Sequence, residues 1–124
     1  MLVDTDVLIW YMRGNLKAKR AIERLGPFSI SVVNYMELVQ GLRNKQELRA
    51  LHGFMLERNV SLIHLSQEIS QRAVFFMEQL SMSRDLRMAD ALIAATAATE
   101  KLPILTANTG HYSFLNLELK RFRP

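Results

Sequence analysis

Four acidic or amide side chains and one hydroxyl stand where short apolar runs end. Asp4 and Asp6 follow Leu2-Val3, Glu37 follows the run Phe28 to Val33, and Thr106 and Asn108 follow Pro103-Ile-Leu. None of these segments carries a Lys or Arg to neutralise the acids. Asp90 is the outlier. In the Ala-rich stretch RMADALIAATAATEK it shares a helical face with Ile93, Ala94 and Ala97, at i+3, i+4 and i+7. That face is apolar and should pack inward, where an unpaired carboxylate costs several kcal/mol. A divalent ion shared with Asp4 would relieve the cost. Hard oxygen donors, with no cysteine and no obligatory histidine, select Mg²⁺ or Mn²⁺ over zinc. Such a cluster activates water for in-line attack on phosphorus and stabilises the leaving oxygen, and it needs no side-chain nucleophile. Ser31, Ser66 and Thr106 show no His–Asp partnership that would make one.

The elements that must position these groups read as strands alternating with helices. Leu2-Val3 is a short strand running from edge to core. Val7 to Met12 is a buried helical segment broken by Arg13-Gly14-Asn15. Ala18, Ala21, Ile22 and Leu25 recur at helical spacing until Gly26-Pro27. Phe28 to Val33 is a second strand, with Asn34 as N-cap of a helix that runs to Gly41. Lys45 to Arg58 is an amphipathic helix, Val60 to Leu65 a third strand, and Ser66 a cap for a long helix marked by Ile69, Ala73, Phe76, Met77 and Leu80. A helix over 87–101, a strand over 103–106 and a fifth strand over 117–119 complete the chain. This alternation implies a three-layer α/β/α fold with a central, mainly parallel sheet of four to five strands. One domain over 1–124 suits the length, and no repeat or linker divides it. In such folds ligands bind beyond the carboxyl ends of the strands, where the strand order reverses.

Composition sets bounds around that reading. Hydrophobic residues make up 49% and charged residues 23%, which excludes a disordered chain. No run is long enough to span a bilayer, and the opening MLVDTDVLIWYM lacks the basic start and cleavage site of a signal peptide. The absence of cysteine fits a reducing interior, so the expected location is cytoplasmic. Net charge is +4. With Asp4, Asp6, Glu37 and Asp90 gathered in one pocket, 16 basic side chains would face the other 8 of the 12 acids. A negative hole in a basic surface suits a polyanionic ligand, although scattered solubilising charge reads equally well from composition.

The motifs themselves carry a resemblance. LVDTDVLI, ISVVNYMELVQGL, RMADALIAATA and ILTANTGHYSFL resemble, in family order and across nearly the whole chain, the four motifs of PIN-domain toxins of the VapC type. That resemblance implies a metal-dependent endoribonuclease that cuts RNA, works as a homodimer and is inhibited by a small antitoxin. It also implies that Asp4, Glu37 and Asp90 are the catalytic and metal-holding acids. Asp6 matches a position often filled by Asn, and Thr106 the polar position that hydrogen-bonds the first Asp. Asn108 stands where many members have Asp. These three are expected around the metal rather than on it.

Plainer readings stand beside these. Asp4 and Asp6 could cap the following helix. Asn34-x-x-Glu37 has capping-box spacing, and Asp85 is a natural N-cap before Arg87. His111 could touch substrate or simply lie on the surface, while His52 and His64 read as partly buried packing residues. Phe75 to Met82 reads as core or dimer face. Trp10 and Tyr11 read as core packing, with a protein interface as the alternative. Arg84, Arg87 and Lys120 to Arg123 are candidates for phosphate contact, with solvated charge as the default. Two rival functions remain: a non-catalytic PIN-like module that binds RNA or protein, and a phosphatase of the haloacid-dehalogenase type, since VDTDV contains its D-x-D pattern. The second also requires a later Lys and a distal acidic pair, which the final strand does not supply.

Overall fold

In a computed structural model that describes residues 1–80, 86–113 and 115–124, five short strands form one sheet. They are β1 (Leu2–Val3), β2 (Ser29–Ser31), β3 (Ser61–Ile63), β4 (Ile104–Thr106) and β5 (Leu119–Arg121). Their order is β3-β2-β1-β4-β5, with every neighbouring pair parallel. β1 is therefore the central strand, not a strand at the edge. Successive strands move one way to β3 and the other way from β4, so the order reverses between β1 and β4.

Alternation along the strands builds two cores. Leu2 and Ile104 point to one face, where α5 (Gln67–Leu80) and α6 (Met88–Glu100) cover them with Ile69, Ala73, Ala91, Ile93, Ala94 and Ala97. Val3, Ile30 and Leu105 point to the other, under α1 (Thr5–Met12), α2 (Leu16–Leu25) and α4 (Lys45–Glu57), meeting Val7, Leu8, Ala18, Ile22 and Leu51. The three-layer architecture holds. Small side chains let α6 sit close to both the sheet and α5, and six of its residues are buried.

The ends of the helices correct three expectations. α3 (Val32–Gln40) begins at the two valines that read as strand, because Ser31 caps it: its hydroxyl accepts from the Val33 N–H at 3.0 Å. Asn34 is not the N-cap but the third helical residue, and its carbonyl oxygen accepts from the Ser31 N–H at 3.0 Å. The capping box is thus Ser31–Asn34, and Glu37 lies nearly a turn further in, free of any capping duty. α1 starts at Thr5, directly after Asp4, rather than at Val7. β5 lies two residues beyond its expected place. The Ser66 cap stands, accepting from Ile69 N–H at 3.2 Å. Asp85, Arg84 and Met82 lie outside the described residues. His52 and His64 are exposed, not packed, although the Tyr35 hydroxyl meets His52 at 3.0 Å.

Candidate active site

β1 ends by delivering Asp4 to the point where the strand order reverses. The residue is both the N-cap of α1 and a buried carboxylate, 6% exposed. Its Oδ1 accepts from the Thr5 N–H at 2.9 Å and from Asn34 Nδ2 at 3.3 Å. Its Oδ2 accepts from the Thr106 hydroxyl at 2.8 Å and from the Tyr112 hydroxyl at 3.0 Å. Four donors, two on each oxygen, fix the orientation of the carboxylate. The capping role and the place in the cluster therefore coexist in one side chain.

Tyr112 comes from α7 (Thr109–Tyr112), the single turn after β4, and is 1% exposed. Burial and the nearby Asp4 and Asp90 hold its hydroxyl proton far above the ordinary range, which makes it a permanent donor. Burial also raises Asp4, the Thr106, Thr5 and Tyr112 hydrogen bonds oppose that rise, and the charge of Asp90 adds to it. Asp6, in the first turn of α1, is tied to the strand beyond. Its Oδ2 accepts from Ala107 N–H at 3.0 Å and from Asn108 Nδ2 at 3.1 Å, and lies 3.3 Å from Thr106 Oγ1, whose one proton serves the shorter contact to Asp4. Burial and the Asp4 charge push it up to about 6. Asn108 closes the turn by donating its N–H to Thr106 Oγ1 at 3.0 Å.

Glu37 joins the group through a relay. Asn34, fully buried, donates to Thr5 Oγ1 at 2.9 Å, and that hydroxyl donates to Glu37 Oε1 at 2.7 Å. Because a hydroxyl has a single proton, the direction of the relay is fixed from Asn34 toward Glu37. Asp90 is different. It lies in the first turn of α6 with its side chain 14% exposed, and Oδ2 is buried with no hydrogen-bond partner among the described residues. His111 Nδ1 stands 3.7 Å from Oδ1, too far for a hydrogen bond.

The structure thus brings Asp4, Asp6, Thr106 and Asn108 into direct contact. Asp90 lies within electrostatic reach of Asp4, and Glu37 is reached through Thr5. Among the described residues no three acidic or His side chains stand close enough together to hold an ion as they lie. An orphaned buried carboxylate oxygen facing the field of a second carboxylate is nevertheless the mark of a cation position, and the donors are all hard oxygens. Asp4 receives no Lys or Arg among the described residues, and both its oxygens are occupied by donors. That is a poor setting for the nucleophile a dehalogenase-type phosphatase requires. Three positioning groups were not legible in advance: Thr5, Asn34 as a donor, and Tyr112. An aromatic residue with a polar tip, one turn past a strand end in NTGHYSF, was the available signal for the last.

A family profile for the PIN domain matches residues 1–114. The chain belongs to the PIN-domain family. Among named relatives it is 33% identical over 119 residues to Ribonuclease VapC10 of Mycobacterium tuberculosis, covering 90% of this chain and 85% of that one. It is 30% identical over 117 residues to Ribonuclease VapC1 of Methanocaldococcus jannaschii, with 93% and 80% covered. A solved toxin-antitoxin complex from Klebsiella pneumoniae contains a chain of the same fold, with a TM-score of 0.80 at 28% identity, covering 99% of this chain and 98% of that one.

Proposed function

We propose that this protein is an endoribonuclease, the toxin of a toxin–antitoxin pair, and that Asp4, Glu37 and Asp90 hold Mg²⁺ or Mn²⁺ at its centre. The observation that carries the metal reading is Asp90 Oδ2, buried without a partner at the strand-order reversal beside a second carboxylate. Two relatives named as ribonucleases support RNA as the substrate. The relative solved in a toxin–antitoxin complex supports a small antitoxin partner. Val74 and Phe75, both exposed on α5, offer an apolar face to a second copy in a homodimer. No described helix is long and apolar enough to cross a membrane, and the cysteine-free chain suits the cytoplasm.

Bound there, a divalent ion would supply Lewis acidity to a phosphoryl oxygen and lower the pKa of an attacking water. The chain's own residues do the positioning. Tyr112, Thr106, Asn34 and the Thr5 N–H hold Asp4 in one rotamer, so no reorganisation is needed when substrate arrives. Asn108 and the Ala107 N–H hold Asp6 across the mouth of the site. The Thr5 hydroxyl fixes Glu37 by Oε1. Its Oε2 makes no hydrogen bond to the described residues and is the oxygen that would be left to face the ion.

The test is RNA incubated with purified protein and Mg²⁺ or Mn²⁺, with and without EDTA, beside Asp4→Asn. Cleavage should vanish with either change. Cleavage that survives EDTA or the substitution removes the metal-nuclease reading. A second reading, a non-catalytic RNA- or protein-binding module, draws on the absence of three converging acids among the described residues and on Asn108 in place of Asp. Binding without cleavage, under every metal condition, would select it.

A further inference from the structure

Away from the acids, α2 and the C-terminal strand face each other across a groove of about 580 Å³. One wall carries Lys17, Arg20 and Arg24, and the other carries Lys120, Arg121 and Arg123. Among the described residues no acidic side chain lines it. All six cations are exposed, and among the described residues none is paired with an acid. Elsewhere on the surface Arg43, Arg58 and Arg72 each have a glutamate within ion-pair distance. The contrast marks the groove as a place where positive charge is left uncompensated. On α2 the three cations sit at i, i+3 and i+7, a single stripe rising about 10 Å along the axis. Leu25, Leu105 and Phe122 lie between the walls.

Position ties the groove to the acids. Arg121 is the ladder partner of Thr106, and the Phe122 N–H donates to the Thr106 carbonyl at 2.8 Å. The backbone of Arg121 therefore lies one strand spacing, about 5 Å, from that of Thr106, whose hydroxyl donates to Asp4. We infer that this groove is the track that holds the phosphate backbone of a single-stranded RNA and leads it to the carboxylates. The inference rests on the ribonuclease reading and adds to it where the substrate lies and which residues grip it. A phosphodiester chain satisfies both halves of the surface: its charges answer the cations, and one of its phosphates is the group that chemistry at the acids would act on. An acidic peptide would answer only the first half.

The experiment is fluorescence anisotropy on the full chain with a labelled, mixed-sequence single-stranded RNA oligonucleotide, in EDTA so that nothing is cut. Salt is varied from about 50 to about 300 mM. Wild type is compared with Arg20→Gln/Arg24→Gln, with Lys120→Gln/Arg121→Gln, and with a control, Arg43→Gln/Arg72→Gln, which changes two paired arginines outside the groove. Circular dichroism checks that each variant folds. Each groove pair should weaken binding about tenfold or more at the lower salts. It should also flatten the slope of log K against log salt by about 1.4, which is about 0.7 for each phosphate that the variant no longer neutralises. The control should do neither. Unchanged affinity and slope in both groove variants would overturn the inference. So would groove variants that keep RNA but lose a poly-glutamate peptide which wild type binds. Cleavage by wild type together with unaltered binding by the groove variants would sink the groove alone. Weakened binding by those variants together with no cleavage by wild type under any metal would sink the nuclease reading alone.

Discussion

Replacing Asp90 with asparagine separates a functional carboxylate from a structural one, because the two predict opposite shifts in stability. Oδ2 of Asp90 is buried without a partner, and Asp4 feels its charge. A buried polar atom left unpaired costs about 1–3 kcal/mol, more when charged. Asparagine leaves a polar atom in the same place, so only the charge part of that cost is recovered, about 1 kcal/mol. Against this, Asp90 stands in the first turn of α6, where an anion contributes about 0.3–1 kcal/mol through the helix dipole. The net expectation without metal runs from no change to a gain of about 0.7 kcal/mol. For 124 residues that gain is a rise of up to about 3 °C in Tm. With ion at a hundred times its Kd, wild type should gain about 2.7 kcal/mol, roughly 10 °C, and the variant little. The assay is thermal melting followed by circular dichroism, in EDTA and then in Mg²⁺ or Mn²⁺, alongside RNA cleavage. The order of Tm should reverse between the two conditions while cleavage is lost throughout. A variant that melts more than about 5 °C lower in EDTA would show Asp90 to be part of the scaffold. An ion shift of equal size in both proteins would show that Asp90 does not hold the ion.

Other outcomes follow from the same hydrogen bonds. Asp6 is raised from 3.8 to about 6, so the folded state holds its proton more tightly than the unfolded state. This group therefore favours the fold increasingly as pH falls from above 6 toward 4. Its partial exposure limits the effect to on the order of 1–2 kcal/mol. Asp6→Asn should accordingly be more stable than wild type near pH 8 and lose that advantage by about pH 4; denaturant titrations that show the gap widening in acid would contradict the assignment. Tyr112→Phe removes one of four donors to a buried carboxylate and should lower stability by about 1.5–3 kcal/mol at pH 7. Urea midpoints indistinguishable from wild type would mean that the hydroxyl does not hold Asp4.

The motif acids and the alternation of strands and helices were legible because they are local: a carboxylate at a strand end, an acid on an apolar stripe, a repeat of periods. Asp90 shows this best, since its misfit with Ile93, Ala94 and Ala97 is visible in one helix and survives as an orphaned oxygen. The start of α3 was misread because Val32 and Val33 favour strand, while the Ser31–Asn34 capping box overrode that preference. The Asn34 amide serves the capping box with its oxygen and links Asp4 to Thr5 with its nitrogen. Tyr112 is harder to read for a different reason. Its place just past a strand end hints at a buried hydroxyl, but its partner lies 108 positions away and nothing local names it. The place of β1 at the centre of the sheet is likewise a property of pairing, not of Leu2 and Val3 themselves.

Two of the four donors to Asp4, Thr106 and Tyr112, lie 102 and 108 residues further along the chain. Until both have docked, Asp4 is held only by the Thr5 N–H and Asn34. Loops that long close slowly and late. Order at Asp4 is thereby coupled to the arrival of β4 and α7: a chain clipped just before Thr106 would keep the carboxylate and lose two of the four groups that hold it.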